Sequence, residues 1–169
     1  MDIYILRHGE AEPRGEDVRE SRRELTARGR RDVERVMRLA KALKVKPEAV
    51  LSSPYDRAVQ TAAIAVDALK SKAAVTQTKA LLPGSNPVVI WKEILSSYKD
   101  MACLLLAGHE PHTSRLLAYL LAAPELNLDF KKGSLVHISI DVDMAKPSGR
   151  LKWILTPAVA RATSRKKRF

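Results

Sequence analysis

MACLLLAGHEP, at residues 101–111, is the stretch that decides the fold of this chain. Its first seven residues are almost continuously apolar, which is typical of a strand buried on both faces of a parallel sheet. Gly108 and Pro111 break the strand, and leucines then recur at helical spacing over residues 116–121. A buried strand that leads directly into a helix is the repeating unit of an α/β fold.

Similar units lie on either side of this segment. Asp2–Leu6 and residues 49–52 read as short buried strands, and further strands are predicted at 74–78, 135–142 and 151–155, the last two as a hairpin. Helices fill the intervals, and one of them covers residues 87–98. The pattern predicts a three-layer α/β sandwich with a mostly parallel central sheet of about six strands and helices on both faces.

Two helix starts can be placed from capping residues. Thr26 is a good N-cap for the first helix. Ser53 followed by Pro54 predicts an N-cap and a proline at the first helical position of the second helix. The apolar face expected for this second helix consists of Val59, Ala62, Ala63, Val66 and Leu69.

The composition indicates how many domains the chain has and which kinds of partner it favours. With 169 residues, 46% of them hydrophobic, we expect one domain over residues 1–160. The net charge is +11, and five of these charges lie in residues 161–169, which contain no acid and predict a basic, flexible C-terminal tail. A basic surface favours anionic partners. Only 5% of residues are aromatic, which argues against nucleic-acid binding as the main role.

The cysteine count and the apolar runs predict the compartment. The chain has one cysteine, Cys103, so no internal disulfide can form and a reducing environment is expected. The first apolar run ends at Arg7, far short of the roughly 20 residues that a spanning helix needs. We therefore expect a cytoplasmic protein with no membrane segment.

Polar residues that can bind a ligand or take part in a reaction follow three of the predicted strands. Arg7-His8-Gly9 follows the first strand, residues 53–57 follow the second, and residues 108–111 follow the apolar run. Ligands of open α/β sheets bind outside the carboxyl ends of the strands. If these strands are parallel, four side chains share one pocket: Arg7, His8, Arg57 and His109.

Two arginines and two histidines suit a phosphoryl group. Arginine presents a planar fork of donors that matches phosphate oxygens, and an unprotonated imidazole is nucleophilic near neutral pH. Adjacent arginines repel a cation, and the sequence lacks the carboxylate cluster of magnesium sites, so neither a metal nor another cofactor is expected. His112 and His137 lack this strand-end context and are assigned structural or surface roles.

At these residues the sequence resembles the histidine phosphatase superfamily, also called phosphoglycerate-mutase-like. Residues 3–11 are similar to its signature, and 25–29, 52–62 and 108–111 are similar to its later motifs. The ending Trp153–Pro157 is similar to that of many members. The short chain resembles the SixA group of phosphohistidine phosphatases, which lacks the large insertions of mutases and phytases.

This resemblance implies a role for each residue of the expected pocket. His8 would attack phosphorus and become phosphohistidine, and His109 would donate to the charge that develops in the transition state. Both arginines would hold the non-bridging oxygens. The substrate-binding set that the resemblance implies is Arg7, Gly9, Arg23 and Arg57.

The expected reaction removes phosphate from a histidine-phosphorylated protein through phospho-His8. Larger relatives protonate an alcohol leaving group with a carboxylic acid, but loop 81–87 contains none. An imidazole leaving group, with a pKa of about 6.5, needs less help. Glu12 and Glu110 lie near the motifs as substitute acids. A small-molecule phosphomonoesterase and a basic phosphate- or nucleic-acid-binding module remain as alternatives, and the sequence leaves the oligomeric state open.

Overall fold

The structure is a computed structural model that describes residues 1–15, 18–144 and 146–165. Within these described residues, six strands and five helices follow one another, with short 3₁₀ turns at Glu20–Arg22 and Lys79–Leu81. No described helix combines the length and the apolar character needed to span a bilayer. The elements are β1 Asp2–Arg7, α1 Ala27–Ala42, β2 Ala49–Ser52, α2 Asp56–Leu69, β3 Val75–Gln77, α3 Pro87–Ser97, β4 Cys103–Gly108, α4 His112–Leu120, β5 Leu135–Ser139, β6 Arg150–Leu155 and α5 Pro157–Arg165.

All six strands form one sheet in the order β3-β2-β4-β1-β5-β6. The strands β3, β2, β4 and β1 are mutually parallel, whereas β5 and β6 pair antiparallel at one edge. The apolar strand β4 lies between β2 and β1, with Leu105 opposite both Val50 and Tyr4. The predicted mostly parallel α/β sheet and its terminal hairpin are therefore confirmed.

Each face of the sheet carries its own apolar core. Leu104 and Leu106 face a core built with α3 and α4. Leu105 and Ala107 face a second core built with α1, α2 and α5. Because successive side chains of a strand point to opposite faces, a strand that is covered on both sides must be apolar at nearly every position. This explains the unbroken run from which the fold was predicted.

The second helix begins later than its capping residues predicted. It starts at Asp56 with Tyr55 at the N-cap position, and no side chain caps it. The predicted cap at Ser53 is wrong because Ser53 lies two residues before the N-cap Tyr55, whose N–H its buried hydroxyl accepts at 3.4 Å, and the same hydroxyl also bonds His109. The predicted apolar face is also partly wrong, since Ala63 is exposed. The face that is buried consists of Arg57, Ala58, Thr61, Ala62, Ala65 and Leu69.

The predicted tail boundary also needs correction. Residues 161–165 continue helix α5, which begins at Pro157. Arg161 donates from Nη1 to Asp32 on α1 at 2.8 Å, and Ala160 is packed in the core beside α1. The core contact at Ala160 and the ion pair at Arg161 hold this helix against the domain. Residues 166–169, the rest of the predicted tail, lie outside the described residues.

The loop that follows β1 passes directly over the start of α1. Thr26 caps this helix as predicted, because its side chain accepts from the Gly29 N–H at 2.9 Å. A Cβ added to Gly29 would lie 2.1 Å from the Glu10 oxygen and 2.8 Å from its nitrogen. A Cβ added to Gly9 would in turn lie 2.9 Å from the Gly29 oxygen. The chain segment beside His8 therefore rests on helix α1 with no space for a side chain.

We expect Gly29→Ala to destabilise the protein by about 2–3 kcal/mol, because the new methyl group meets backbone atoms that cannot rotate away. In an ordinary helix interior the same change would stabilise by about 1 kcal/mol, so the sign itself is informative. The midpoint of thermal unfolding should fall by roughly 5–10 °C. Gly84→Ala is the control, since nothing lies within 4 Å of its added Cβ. A Gly29→Ala protein as stable as the control would contradict the contact.

Candidate active site

The site lies where three neighbouring parallel strands end. Arg7 pairs with Gly108 in the register of β1 and β4, and Ser52 pairs with Ala107 in that of β2 and β4. The residues that come next along the chain therefore meet at one edge of the sheet. The rings of His8 and His109 have centroids 5.0 Å apart, and Arg57 Nε lies 3.3 Å from His8 Nε2.

His8 is held in one tautomer by two partners. Its Nδ1 lies 2.6 Å from the Gly9 carbonyl oxygen, which only accepts, so Nδ1 carries the proton. Its Nε2 receives the Arg57 Nε–H, so that nitrogen presents its lone pair. The side chain is 7% exposed. The nitrogen available for attack is therefore Nε2, and it faces the guanidinium that an incoming anion would also contact.

His109 is completed by residues at the end of β2. A hydrogen bond of 2.8 Å joins its Nε2 to Ser53 Oγ. The Tyr55 ring lies 5.1 Å from the His109 ring, and Arg57 Cζ lies 5.0 Å over the same tyrosine. The other histidine nitrogen, Nδ1, is buried and has no hydrogen-bond partner among the described residues. One polar nitrogen of this ring is thus left for a ligand.

Arg7 shows the same incomplete bonding. Its Nη1 donates to the Phe130 carbonyl oxygen, which ties the side chain to the segment before β5. Its Nε is buried without a partner among the described residues. Buried polar atoms are normally satisfied, so an unpartnered arginine nitrogen and an unpartnered histidine nitrogen in one site indicate a place for a hydrogen-bonding ligand.

Arg57 is neutralised by a carboxylate from the loop. The guanidinium is buried, at 4% exposure for the residue. Its Nη1 donates to the Glu20 carbonyl oxygen at 2.7 Å, and its Nη2 lies 3.0 Å from Glu20 Oε1. Arg23 donates to both oxygens of the same carboxylate, at 2.8 and 3.0 Å. The arginine that the resemblance added to the pocket is thus joined to Arg57 through Glu20.

Gly9 uses both of its backbone groups inside the protein. Its carbonyl oxygen accepts from His8, and its N–H donates to Thr61 Oγ1 at 3.1 Å. Thr61 in turn donates to the Arg57 carbonyl oxygen at 2.6 Å. Gly9 therefore fixes the histidine tautomer and links β1 to α2.

Burial and surrounding charge keep both histidines neutral. Burial and the charges of Arg57 and Arg7 outweigh the Gly9 hydrogen bond, which raises the pKa of His8, and the net effect lowers this pKa to about 3. Burial also lowers the pKa of His109 to about 2, with added contributions from His8 and Arg57. A positive imidazole beside two guanidiniums would cost Coulomb energy in a poorly solvated site.

The two glutamates suggested as substitute acids lie in different surroundings. Glu110 caps helix α4, where it accepts from the Ser114 N–H at 3.1 Å and the Ser114 hydroxyl at 2.7 Å and also contacts Thr113. Its carboxylate is therefore committed to the helix. The backbone oxygen of Glu12 accepts from Arg23 Nε at 2.8 Å, and its side chain is exposed.

The remaining histidines lie apart from this bonding network. His137 Nε2 bonds Asp2 Oδ1 at 2.9 Å, and its ring stacks on Tyr4 at 4.4 Å. His112 is fully buried at the start of α4, and burial lowers its pKa to about 4. Neither of its ring nitrogens has a partner among the described residues.

Sequence reasoning found the four central residues but not the groups that hold them. The residues it missed are Glu20, Ser53, Tyr55 and Thr61. The last three lie inside the motif at 52–62, where the residues of the pocket wall could have been sought. Glu20 lies in a loop crowded with charged residues, and nothing in the spacing distinguishes it from its neighbours.

Comparisons with protein families and with known proteins support the family that the sequence motifs indicate. The model of the histidine phosphatase superfamily (branch 1) matches residues 3–82. An uncharacterized protein of Picosynechococcus is 33% identical over 112 residues, which cover 66% of this chain and 67% of that protein. The chain belongs to the histidine phosphatase superfamily, as its motifs predicted.

Two solved structures are similar to this chain over almost its whole length. The protein histidine phosphatase SixA, in complex with tungstate, is 25% identical with a TM-score of 0.84, over 94% of this chain and 98% of that one. A mycobacterial glucosyl-3-phosphoglycerate phosphatase in complex with VO3 is 17% identical with a TM-score of 0.68, over 90% and 97%. The first supports the expected SixA-type architecture, and the second shows the same fold.

We expect the folded protein to keep His8 and His109 neutral at pH 5, with the His8 proton on Nδ1. Side-chain ¹⁵N chemical shifts report both the charge and the tautomer. The unfolded chain takes up protons at these histidines below about pH 6.5, whereas the folded pKa of His8 is about 3. Stability should therefore fall as the pH falls through this window. A His8 titration midpoint near 6.5 would contradict the site described here.

Proposed function

We propose that this protein is a metal-independent phosphatase that removes phosphate from a histidine-phosphorylated protein, with His8 as the nucleophile. Membership of the superfamily implies phosphatase activity. The observation that supports His8 as the nucleophile is its tautomer. In this tautomer Nε2 is unprotonated and accepts from Arg57 Nε. A nucleophile of this kind splits one difficult displacement into two easier ones.

The residues of the site divide the work of binding the phosphoryl group. Arg7 Nε and His109 Nδ1 are two of the buried atoms that have no partner among the described residues, and oxygens of the transferring group would satisfy both. With the Ser53 hydroxyl donating to His109 Nε2, the ring proton stays on Nδ1 and is directed to the ligand. Fixed donors of this type stabilise the charge of the transition state without reorganising. The tungstate in the SixA structure is an oxyanion of similar shape.

The reaction proceeds in two steps. In the first, a bond forms between His8 Nε2 and phosphorus while the phosphorus–nitrogen bond of the substrate breaks. The other nitrogen of the leaving imidazole takes a proton from solvent, so it departs as a neutral ring. In the second, water attacks phosphorus, Nε2 recovers its lone pair, and inorganic phosphate is released. Positioning and charge do most of the work in such transfers.

Among the described residues no carboxylate is hydrogen-bonded to His8 or His109, which favours an imidazole leaving group. Glu110 is committed to capping α4. Hydrogen bonds from Arg14 and Arg23 and the charge of Arg57 lower the pKa of Glu20, against burial, which raises it, so this carboxylate is ionised. An imidazole leaves with far less assistance than an alkoxide. Glu16 and Asp17 lie outside the described residues.

A groove beside Arg7 leaves room for more than a phosphate. It encloses about 670 Å³, and charged side chains make up most of its wall. A substrate anchored at His8 could extend along this surface. The lining residues with charge are Arg7, Glu10, Arg28, Asp32, Asp129, Lys131, Lys132 and Arg161.

We expect His8→Ala to abolish turnover and to prevent formation of a phosphoenzyme, because no other group presents an unprotonated nitrogen at this position. The measurement is incubation with a radiolabelled phosphohistidine protein, followed by a test for an acid-labile, base-stable label on the phosphatase. His137→Asn is the control, since that ring lies on Tyr4 and bonds Asp2, and it should retain the label. Full activity of His8→Ala at saturating substrate would rule out the nucleophile.

A direct comparison of substrates separates the proposal from its alternative, a small-molecule phosphomonoesterase. We expect a phosphohistidine protein to be hydrolysed with a higher kcat/KM than sugar, glycerate or nucleotide phosphates, because neither Glu110 nor Glu20 is free to protonate an alkoxide. Activity should persist in excess EDTA if no metal takes part. A strong preference for the small esters would reject the protein substrate while leaving phospho-His8 in place.

A further inference from the structure

Glu20 makes more contacts with arginines than a helix cap or an isolated surface ion pair would need. Its Oε1 lies 3.0 Å from Arg57 Nη2 and 2.8 Å from Arg23 Nη1, and its Oε2 lies 2.9 Å from Arg14 Nε. Its backbone oxygen also accepts from Arg57. One loop residue therefore binds the central guanidinium twice, through main chain and side chain, and joins it to a second guanidinium.

The position of this carboxylate puts it beside the expected anion. The Nε–H and one Nη2–H of a guanidinium point along the same edge, and this edge is the fork that grips an oxyanion. In Arg57, Nε is directed at His8 Nε2 and Nη2 at Glu20. A phosphoryl group arriving at His8 would meet Arg57 next to the Glu20 carboxylate.

The charges around Glu20 determine how this carboxylate affects a bound anion. Arg7, Arg23 and Arg57 are protonated, and His8 and His109 are neutral because burial lowers the pKa of each ring. Glu20 is ionised, so three positive charges face one negative charge. Arg14 is left out of this balance because its side chain is 80% exposed and water screens it. The guanidiniums of the site attract a phosphoryl group, which carries about two negative charges above pH 6, and the ionised Glu20 carboxylate opposes any further negative charge beside Arg57.

We propose that Glu20 is a specificity-determining residue that selects a single phosphoryl group and disfavours diphosphates and longer polyphosphates. This inference rests on the proposed function, in which a phosphoryl group binds at His8. A second phosphate on the Glu20 side of the site would bring further negative charge near this carboxylate, whose neighbouring guanidiniums are already paired with it. Without Glu20, the three guanidiniums would accept the more highly charged anion.

The test compares two probes, orthophosphate and pyrophosphate, bound to the full-length protein at pH 8 without divalent metals. We expect Glu20→Gln to shift the ratio of the two dissociation constants by about tenfold toward pyrophosphate, the order of effect of one charge at a few ångströms in a partly solvated site. Glu20→Asp should keep the original ratio because it keeps the charge. Glu34→Gln removes one carboxylate from the exposed surface of α1 and should also leave the ratio unchanged.

Several results would overturn this inference. An unchanged ratio in Glu20→Gln, or an equal loss of affinity for both anions, would reduce Glu20 to a scaffold for the arginines. A Glu20→Asp protein that behaves like Glu20→Gln would show that charge is not the cause. Circular dichroism of each variant verifies that it is folded. Because binding is measured without turnover, its outcome is separate from the phosphoenzyme test of the proposed function.

Discussion

The parallel pairing of β1, β4 and β2 is the constraint on which the site depends. Their registers place Arg7 opposite Gly108 and Ser52 opposite Ala107, so the chain leaves all three strands at the same level. His8, His109 and Ser53 are the next residues along the chain after these pairs. Three segments separated by dozens of residues are aligned by backbone hydrogen bonds alone, and side-chain contacts then refine their positions.

Desolvation sets the chemistry once this alignment exists. His8 and His109 are almost completely buried, at 7% and 1% exposure, beside guanidiniums that keep their charge. Protonation of either ring is costly there, so the histidines contribute lone pairs and N–H groups while the arginines contribute the positive charge. Glu20 is the ionised carboxylate that bonds this group of arginines, and it divides its two oxygens among three of them.

The sequence contained most of the fold and the centre of the site, for identifiable reasons. The run at 101–107 reports burial on both faces, and the strand-end position of His8, Arg57 and His109 follows from the alternation of strands and helices. Side-chain partnerships across the chain were not visible. Ser53 looks like a helix cap in sequence, yet the distant His109 binds its hydroxyl. Residues 161–165 look like a charged tail, yet the core packing of Ala160 and the Arg161–Asp32 ion pair hold them in α5.

The contact between Gly9 and Gly29 ties the position of His8 to a helix outside the pocket. Neither residue has room for a methyl group. The Gly9 carbonyl, which accepts the hydrogen bond from His8, therefore cannot shift sideways without displacing the first turn of α1. Substitution is thereby restricted both beside His8 and in the first turn of α1. An engineer who wishes to widen the pocket would do better to reshape its far wall than the loop that carries His8.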